Sequence, residues 1–184
     1  MAGGRKIPKG KKINPTLFVF CEGETEESYV NHLKSLYRLP SIHIHAKIGR
    51  NNISAEYIAN YKQDKPTHEK DITFLMYDLD VPEMLEKISC IENSILLVSN
   101  PCIELWFLLH YKSQTSSTNS SNCCREMTNR NRTYKKGIID TQLKARLNEK
   151  SNAAIERARK LKKHSNPSTT IYRLLETLNS LKTN

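Results

Sequence analysis

Three acids that end apolar runs are the residues of this chain best placed to do chemistry. Glu22 follows Leu17-Phe18-Val19-Phe20-Cys21 and precedes Gly23-Glu24, and Asp78 and Asp80 follow Ile72-Thr73-Phe74-Leu75-Met76-Tyr77. Where parallel strands end side by side, acids far apart in sequence converge in one crevice. Carboxylates held close raise each other's pKa and repel unless a cation neutralises them, and a hard divalent ion takes one or two of them while keeping positions for water and phosphate oxygens. The expected ligands of Mg2+ or Mn2+ are therefore Glu22, Asp78 and Asp80. Asp78 and Asp80 share a face only if extended backbone continues through Leu79. The plainer readings are a helix-starting acid at Glu22, beside Thr25 and Glu26, and a solvated turn at Asp78 to Asp80, which Pro82 favours.

Glu104 is a fourth candidate for the catalytic set. It falls in the first turn of an apolar helix that would face the same sheet edge, where an acid also complements the helix dipole. Lys135 and Lys136, after Tyr134, can bring a cation to a phosphate or simply keep a loop soluble. Between residues 125 and 163 there are thirteen Lys and Arg against four Asp and Glu, and Arg159, Lys160, Lys162 and Lys163 close that run. Such a run is either a solvated helix face or a phosphate-tracking surface, and its company with strand-end acids favours nucleic acid, RNA or DNA. His43 and His45 alternate with Ile42, Ile44 and Ala46, which fits the solvent face of a strand better than a pair of metal ligands. His110 ends the apolar helix and either caps its dipole or meets substrate.

The elements that must position these residues follow from periodicity. Strands are expected at 16–21, 42–48, 71–77 and 94–98, alternating with helices at 25–37, 54–63 and from Pro82, which is the pattern of a parallel sheet flanked by helices. A helix at 101–111 is expected to carry Pro101 in its first turn and Asn100 as its cap. Residues 112–131, rich in Ser, Thr, Asn and Gln, read as a mobile loop. Helices at 138–148, 153–163 and 170–181 then form a helical C-terminal extension. Residues 1–14 carry five Lys and Arg and no acid, the mark of a basic disordered arm ahead of one domain over 15–184.

Phe18 to Gly23 followed by Tyr77 to Asp80 resembles the TOPRIM fold, the catalytic core of topoisomerases, primases, recombination factors and several nucleases. Cys21 to Thr25 with Glu26, Val98-Ser99-Asn100-Pro101-Cys102-Ile103-Glu104-Leu105-Trp106-Phe107-Leu108-Leu109-His110-Tyr111, and Asn166-Pro167-Ser168-Thr169-Thr170 are similar to the RloB-like family. That resemblance covers about Pro15 to Leu181. It implies a TOPRIM-like α/β fold, a setting near prokaryotic restriction and phage-defence loci, and a possible partner protein of such a locus. Only the triad Glu22, Asp78 and Asp80 carries general TOPRIM chemistry.

At 184 residues the chain suits one domain with a real core. Its net charge of +10 favours polyanionic partners and speaks of association rather than fold. Five cysteines at 21, 90, 102, 123 and 124 form no metal-ligand spacing, and their odd number in largely apolar settings argues for free thiols in a reducing cytoplasm. No apolar stretch approaches a membrane span and no signal peptide is visible, so a cytoplasmic protein without membrane contact is expected. A phosphatase of the haloacid-dehalogenase type would share the strand-DxD but expects a small polar residue after it, where Val81-Pro82 stands here. A topoisomerase needs a tyrosine nucleophile and a primase needs nucleotide-binding parts, neither of which is apparent. The expected activity is metal-dependent nucleic-acid cleavage; the alternative is a non-catalytic nucleic-acid or effector-binding module.

Overall fold

The protein is described by a computed structural model that covers residues 15–38 and 43–182. The basic arm expected at 1–14, and Ile42 of the second expected strand, lie outside the described residues. Five strands form one sheet in the order β2-β1-β3-β4-β5, with β1 Leu17–Cys21, β2 Ile44–Ile48, β3 Ile72–Asp78, β4 Ser94–Asn100 and β5 Ser168–Thr169. The first four are parallel; β5 is antiparallel to β4.

Both faces of the sheet are covered, which is why its central strands read as near-continuous apolar runs. Leu17, Val19, Phe74, Met76 and Leu97 point to the larger core, shared with α1 (Glu24–Tyr37), α4 (Ile103–Leu109) and the C-terminal helices. Phe18, Phe20, Leu75, Tyr77 and Val98 point to the smaller one, closed by α2 (Ala55–Gln63) and α3 (Pro82–Ser89) through Ile58, Met84 and Ile88. α4 is buried along its whole length, Trp106 included, and the Trp106 indole N–H donates to the Tyr29 hydroxyl at 2.8 Å.

Three expectations are corrected. Asn100 is the last residue of β4 rather than a helix cap. The cap position of α4 belongs to Cys102, without a side-chain cap bond, and the Asn100 amide donates instead to the His164 carbonyl at 3.2 Å. The segment expected to be a mobile loop contains α5 (Ser120–Arg130). Asn119 caps it by accepting the Asn122 N–H, and Cys123 and Met127, one turn apart, are buried against the larger core. Two apolar residues suffice for a helix whose other faces meet water, so its polar composition hid it. The stretch before it is tied down as well, because Asn166 both accepts from Thr118 N–H at 3.0 Å and donates to Thr118 O at 2.7 Å. Finally, α6 (Thr141–Glu149) starts later than expected, at the cap Asp140, and Ile138 is exposed and bridges Lys135 across a turn. α7 (Ser151–Arg159) and α8 (Tyr172–Lys182) complete the fold.

Candidate functional site

β1 and β3 run in register, Cys21 opposite Met76, so the chain leaves β1 beside the end of β3. The Glu22 carboxylate crosses that gap and accepts the Asp78 N–H at 2.8 Å. Asp78 itself closes β3, paired with Ser99 of β4. The ladder makes its last bond there, from the Leu79 N–H to the Ser99 carbonyl at 2.8 Å, and the chain bends at the next residue. Asp80 therefore lies exposed on the following bend rather than on the strand face of Asp78, contrary to the condition set by a continuous strand. Its charge still reaches both neighbours and raises the pKa of each.

Two further acids face the same crevice. Glu26, in the first turn of α1, is 5 % exposed and accepts the Gly23 N–H at 3.0 Å, one half of a capping box. Glu104, in the first turn of α4, is 1 % exposed. Its Oε1 accepts the Tyr134 hydroxyl at 2.7 Å and lies 3.9 Å from the Lys136 ammonium, and its Oε2 is buried with no partner among the described residues. Burial pushes the Asp78 carboxyl well above its ordinary range, and Glu26, Glu22, Glu104 and Asp80 push it further. Glu22 is raised by burial too, against the opposing pull of the Asp78 N–H. Glu26 is lifted by burial, with Glu22 and Glu104 adding, to about 7.

The acids are thus brought together from β1, α1, β3 and α4, and the membership of Glu26 was missed at the sequence level. Its signal was present, because positions 22 and 26 flank the start of a helix one turn apart. What hid it was the competing role of a helix-starting acid.

Tyr134 and Lys136 reach the crevice on a loop of high internal order. Asn131 donates from Nδ2 to both Asp140 oxygens at 3.0 Å each, and Thr133 bonds to both side chains. At its tip Gly137, with φ of 80°, donates its N–H to Thr25 Oγ1 at 2.9 Å and accepts the Ser28 hydroxyl at 2.6 Å. The turn is thereby riveted to the start of α1. Lys135 is exposed beside it.

Among the described residues no three His, Cys, Asp or Glu side chains stand in an arrangement that would itself hold a metal ion. The chemistry of the donor set nonetheless suits a hard cation: oxygen donors that repel one another, one buried oxygen without a partner, and one lysine as counter-charge.

The other expected contacts divide. Arg159, still exposed, pairs with Glu176 across α7 and α8. Lys160, Lys162 and Lys163 are exposed on the segment that leads into β5. Since β5 pairs with the last residues of β4, that segment ends at the crevice side of the sheet. His43 is exposed ahead of β2, and His45 stacks on Phe18 at 5.3 Å between ring centroids. His110 is a core residue, its Nδ1 2.9 Å from the Trp106 carbonyl, with burial holding its pKa down to about 4. Cys21, Cys102 and Cys123 are buried free thiols, whereas Cys90 is exposed.

Compared with known proteins, the sequence matches the family described as "RloB-like protein" over residues 17–178. The chain belongs to the RloB-like protein family. The matched span holds all five acids of the crevice, Lys136 and the lysines before β5. No curated protein and no solved structure gave a match. Among the described residues of this RloB-like protein, no helix is long and apolar enough to cross a membrane.

Glu26 offers a direct check on the crowding of acids. Its folded pKa, about 7, lies above that of an unfolded glutamate, so the folded state binds more protons between pH ~4.5 and ~7. Its contribution to stability is favourable below that window and lost as pH rises through it, by about 3 kcal/mol at most. Glu26→Gln is therefore expected to raise the melting temperature above pH 7.5 in chelator and to leave it unchanged near pH 4. Burial of His110 acts with the opposite sign, costing stability as pH falls from ~6.5 towards 4. The difference between variant and wild type, rather than either curve alone, is the quantity to follow by thermal denaturation.

Proposed function

We propose that this RloB-like protein is a Mg2+- or Mn2+-dependent nuclease, acting on RNA or DNA in prokaryotic defence against phage. The observation that carries the reading is the crevice itself, where Glu22, Glu26, Asp78 and Glu104 share little solvent and little positive charge. Glu22, Asp78 and Asp80 would hold the ion, with Glu26 and Glu104 adjoining. When bound, the ion supplies neutralisation of phosphate charge and a lowered pKa for water.

The chain's own residues contribute the rest. Glu26, poised near neutrality, can accept a proton at a carboxylate oxygen at working pH. Tyr134 orients Glu104 through its hydroxyl, and Lys136 brings a positive charge to the edge of the acids where a phosphate would lie. Lys135, Lys160, Lys162 and Lys163 extend that charge along the surface, and counterion release at such residues favours a polyanion whatever its sequence.

The test is incubation of the purified protein with labelled transfer RNA, single-stranded DNA and duplex DNA, in Mg2+, in Mn2+ and in chelator. Cleavage of at least one substrate with metal, and of none in chelator, is the expected result. Chelator-insensitive cleavage, or binding without cleavage under every condition, would overturn the nuclease reading in favour of a binding module.

A further inference from the structure

The loop that leaves β2 at the crevice end carries an arginine that nothing above employs. The Gly49 N–H donates to the Cys21 carbonyl at 2.8 Å, so Arg50 follows directly where Glu22 departs from β1. Its backbone is held from several sides. The Tyr77 hydroxyl donates to the Arg50 carbonyl at 3.2 Å, the Tyr57 hydroxyl to the Ile48 carbonyl at 3.0 Å, and the Lys87 ammonium to the Asn51 carbonyl. Ile53, 1 % exposed, plugs the loop into the smaller core. Tyr77 approaches so closely that a Cβ at Gly49 would stand 2.7 Å from its hydroxyl.

Within this rigid frame Arg50 has φ of 47°, a left-handed conformation uncommon for a side chain larger than glycine and costing on the order of 1 kcal/mol. The side chain is exposed, and among the described residues its guanidinium has neither a hydrogen-bond nor an ion-pair partner. A strained, tightly held residue that presents a free guanidinium at the rim of an acidic crevice is preorganised for an anion from outside.

The opposite rim carries Lys162 and Lys163 ahead of β5. Five strands at roughly 4.8 Å spacing make that edge about 19 Å wide. An extended single strand, its successive phosphates roughly 6–7 Å apart, crosses it with about four phosphates. We propose that Arg50 is a phosphate-binding residue, and that the site takes a continuous polynucleotide strand laid across the sheet edge from Arg50 to Lys162 and Lys163 rather than a mononucleotide. This rests on nucleic acid as the ligand, as proposed above, but not on its cleavage.

The experiment measures binding in chelator, where no metal-dependent cleavage occurs, by fluorescence anisotropy with single-stranded oligonucleotides of two to ten nucleotides over a range of salt. Affinity is expected to climb steeply up to about four nucleotides and then to flatten. Arg50→Gly, which relieves the left-handed strain, is expected to fold at least as stably as the wild type. It should nevertheless weaken binding about tenfold and reduce the slope of log K against log salt by about 0.7. Lys162→Gln with Lys163→Gln should reduce the slope by about twice that, and Arg50→Lys should restore most of it. Arg38→Gln, at the far end of α1, is the control and should change neither.

An unchanged slope in Arg50→Gly, or affinity already saturated at two nucleotides, overturns the inference while leaving the nuclease reading intact. A reduced slope in a protein that never cleaves leaves Arg50 standing and removes the nuclease reading. Absence of any binding by the wild type overturns the inference, and the nuclease reading is then decided by cleavage in metal alone.

Discussion

Asp78→Asn and Glu22→Gln should each abolish metal-dependent cleavage, by at least about a hundredfold, because even supporting groups around a metal are worth that much. Neither change should unfold the chain. Burial holds the Asp78 carboxyl well above the ordinary range and four neighbouring acids push it further, so removing its charge relieves desolvation and repulsion in the absence of metal. Asp78→Asn is accordingly expected to melt higher than the wild type in chelator at pH 8. Glu22→Gln keeps an acceptor for the Asp78 N–H, so its stability should change little. Binding of an oligonucleotide in chelator should be retained or strengthened in both variants, since each removes a negative charge that opposes phosphate. Cleavage within tenfold of wild type in both variants would show that the crevice is not the reaction centre. Loss of folding in either would show that the acids are structural.

Tyr134→Phe is expected to cause the largest loss of stability. It leaves neither oxygen of the buried Glu104 hydrogen-bonded among the described residues, and an unsatisfied buried acceptor costs about 1–3 kcal/mol. The same variant frees Glu104 to turn, so metal activation should shift to higher Mn2+ concentration. A double-mutant cycle with Glu104→Leu separates the two consequences: the stability cost should largely vanish once both partners are gone, with a coupling energy of about 0.5–3 kcal/mol. Glu104→Gln then decides between site and scaffold. Weaker metal activation at an unchanged melting temperature identifies a functional acid, whereas a lower melting temperature with normal metal dependence confines Glu104 to holding α4 in place.

The strands, their order along the chain and the acids at their ends were legible in the sequence because each depends on local pattern. Leu17 to Cys21 and Ile72 to Tyr77 are apolar without interruption, as strands buried on both faces must be, and an acid next to such a run can only lie at its mouth. The family resemblance was legible for the same reason, since it rests on contiguous segments. Residues whose roles depend on a distant partner were not. Asn100 looks like a cap beside Pro101 until β5, a strand of two residues with no periodicity of its own, brings the His164 carbonyl to its amide. Arg159 looks like its neighbouring lysines until α8 sets Glu176 against it. Glu26 looks like a helix-starting acid until α4 closes over it and carries Glu104 into the same small volume. Arg50 carries no motif at all, and its carbonyl is held by Tyr77, 27 residues away. The sequence by itself determined the four parallel strands and the three acids that follow two of them; the tertiary structure added β5 and decided which other charges share that edge, because burial and electrostatic repulsion act between groups that only folding brings together.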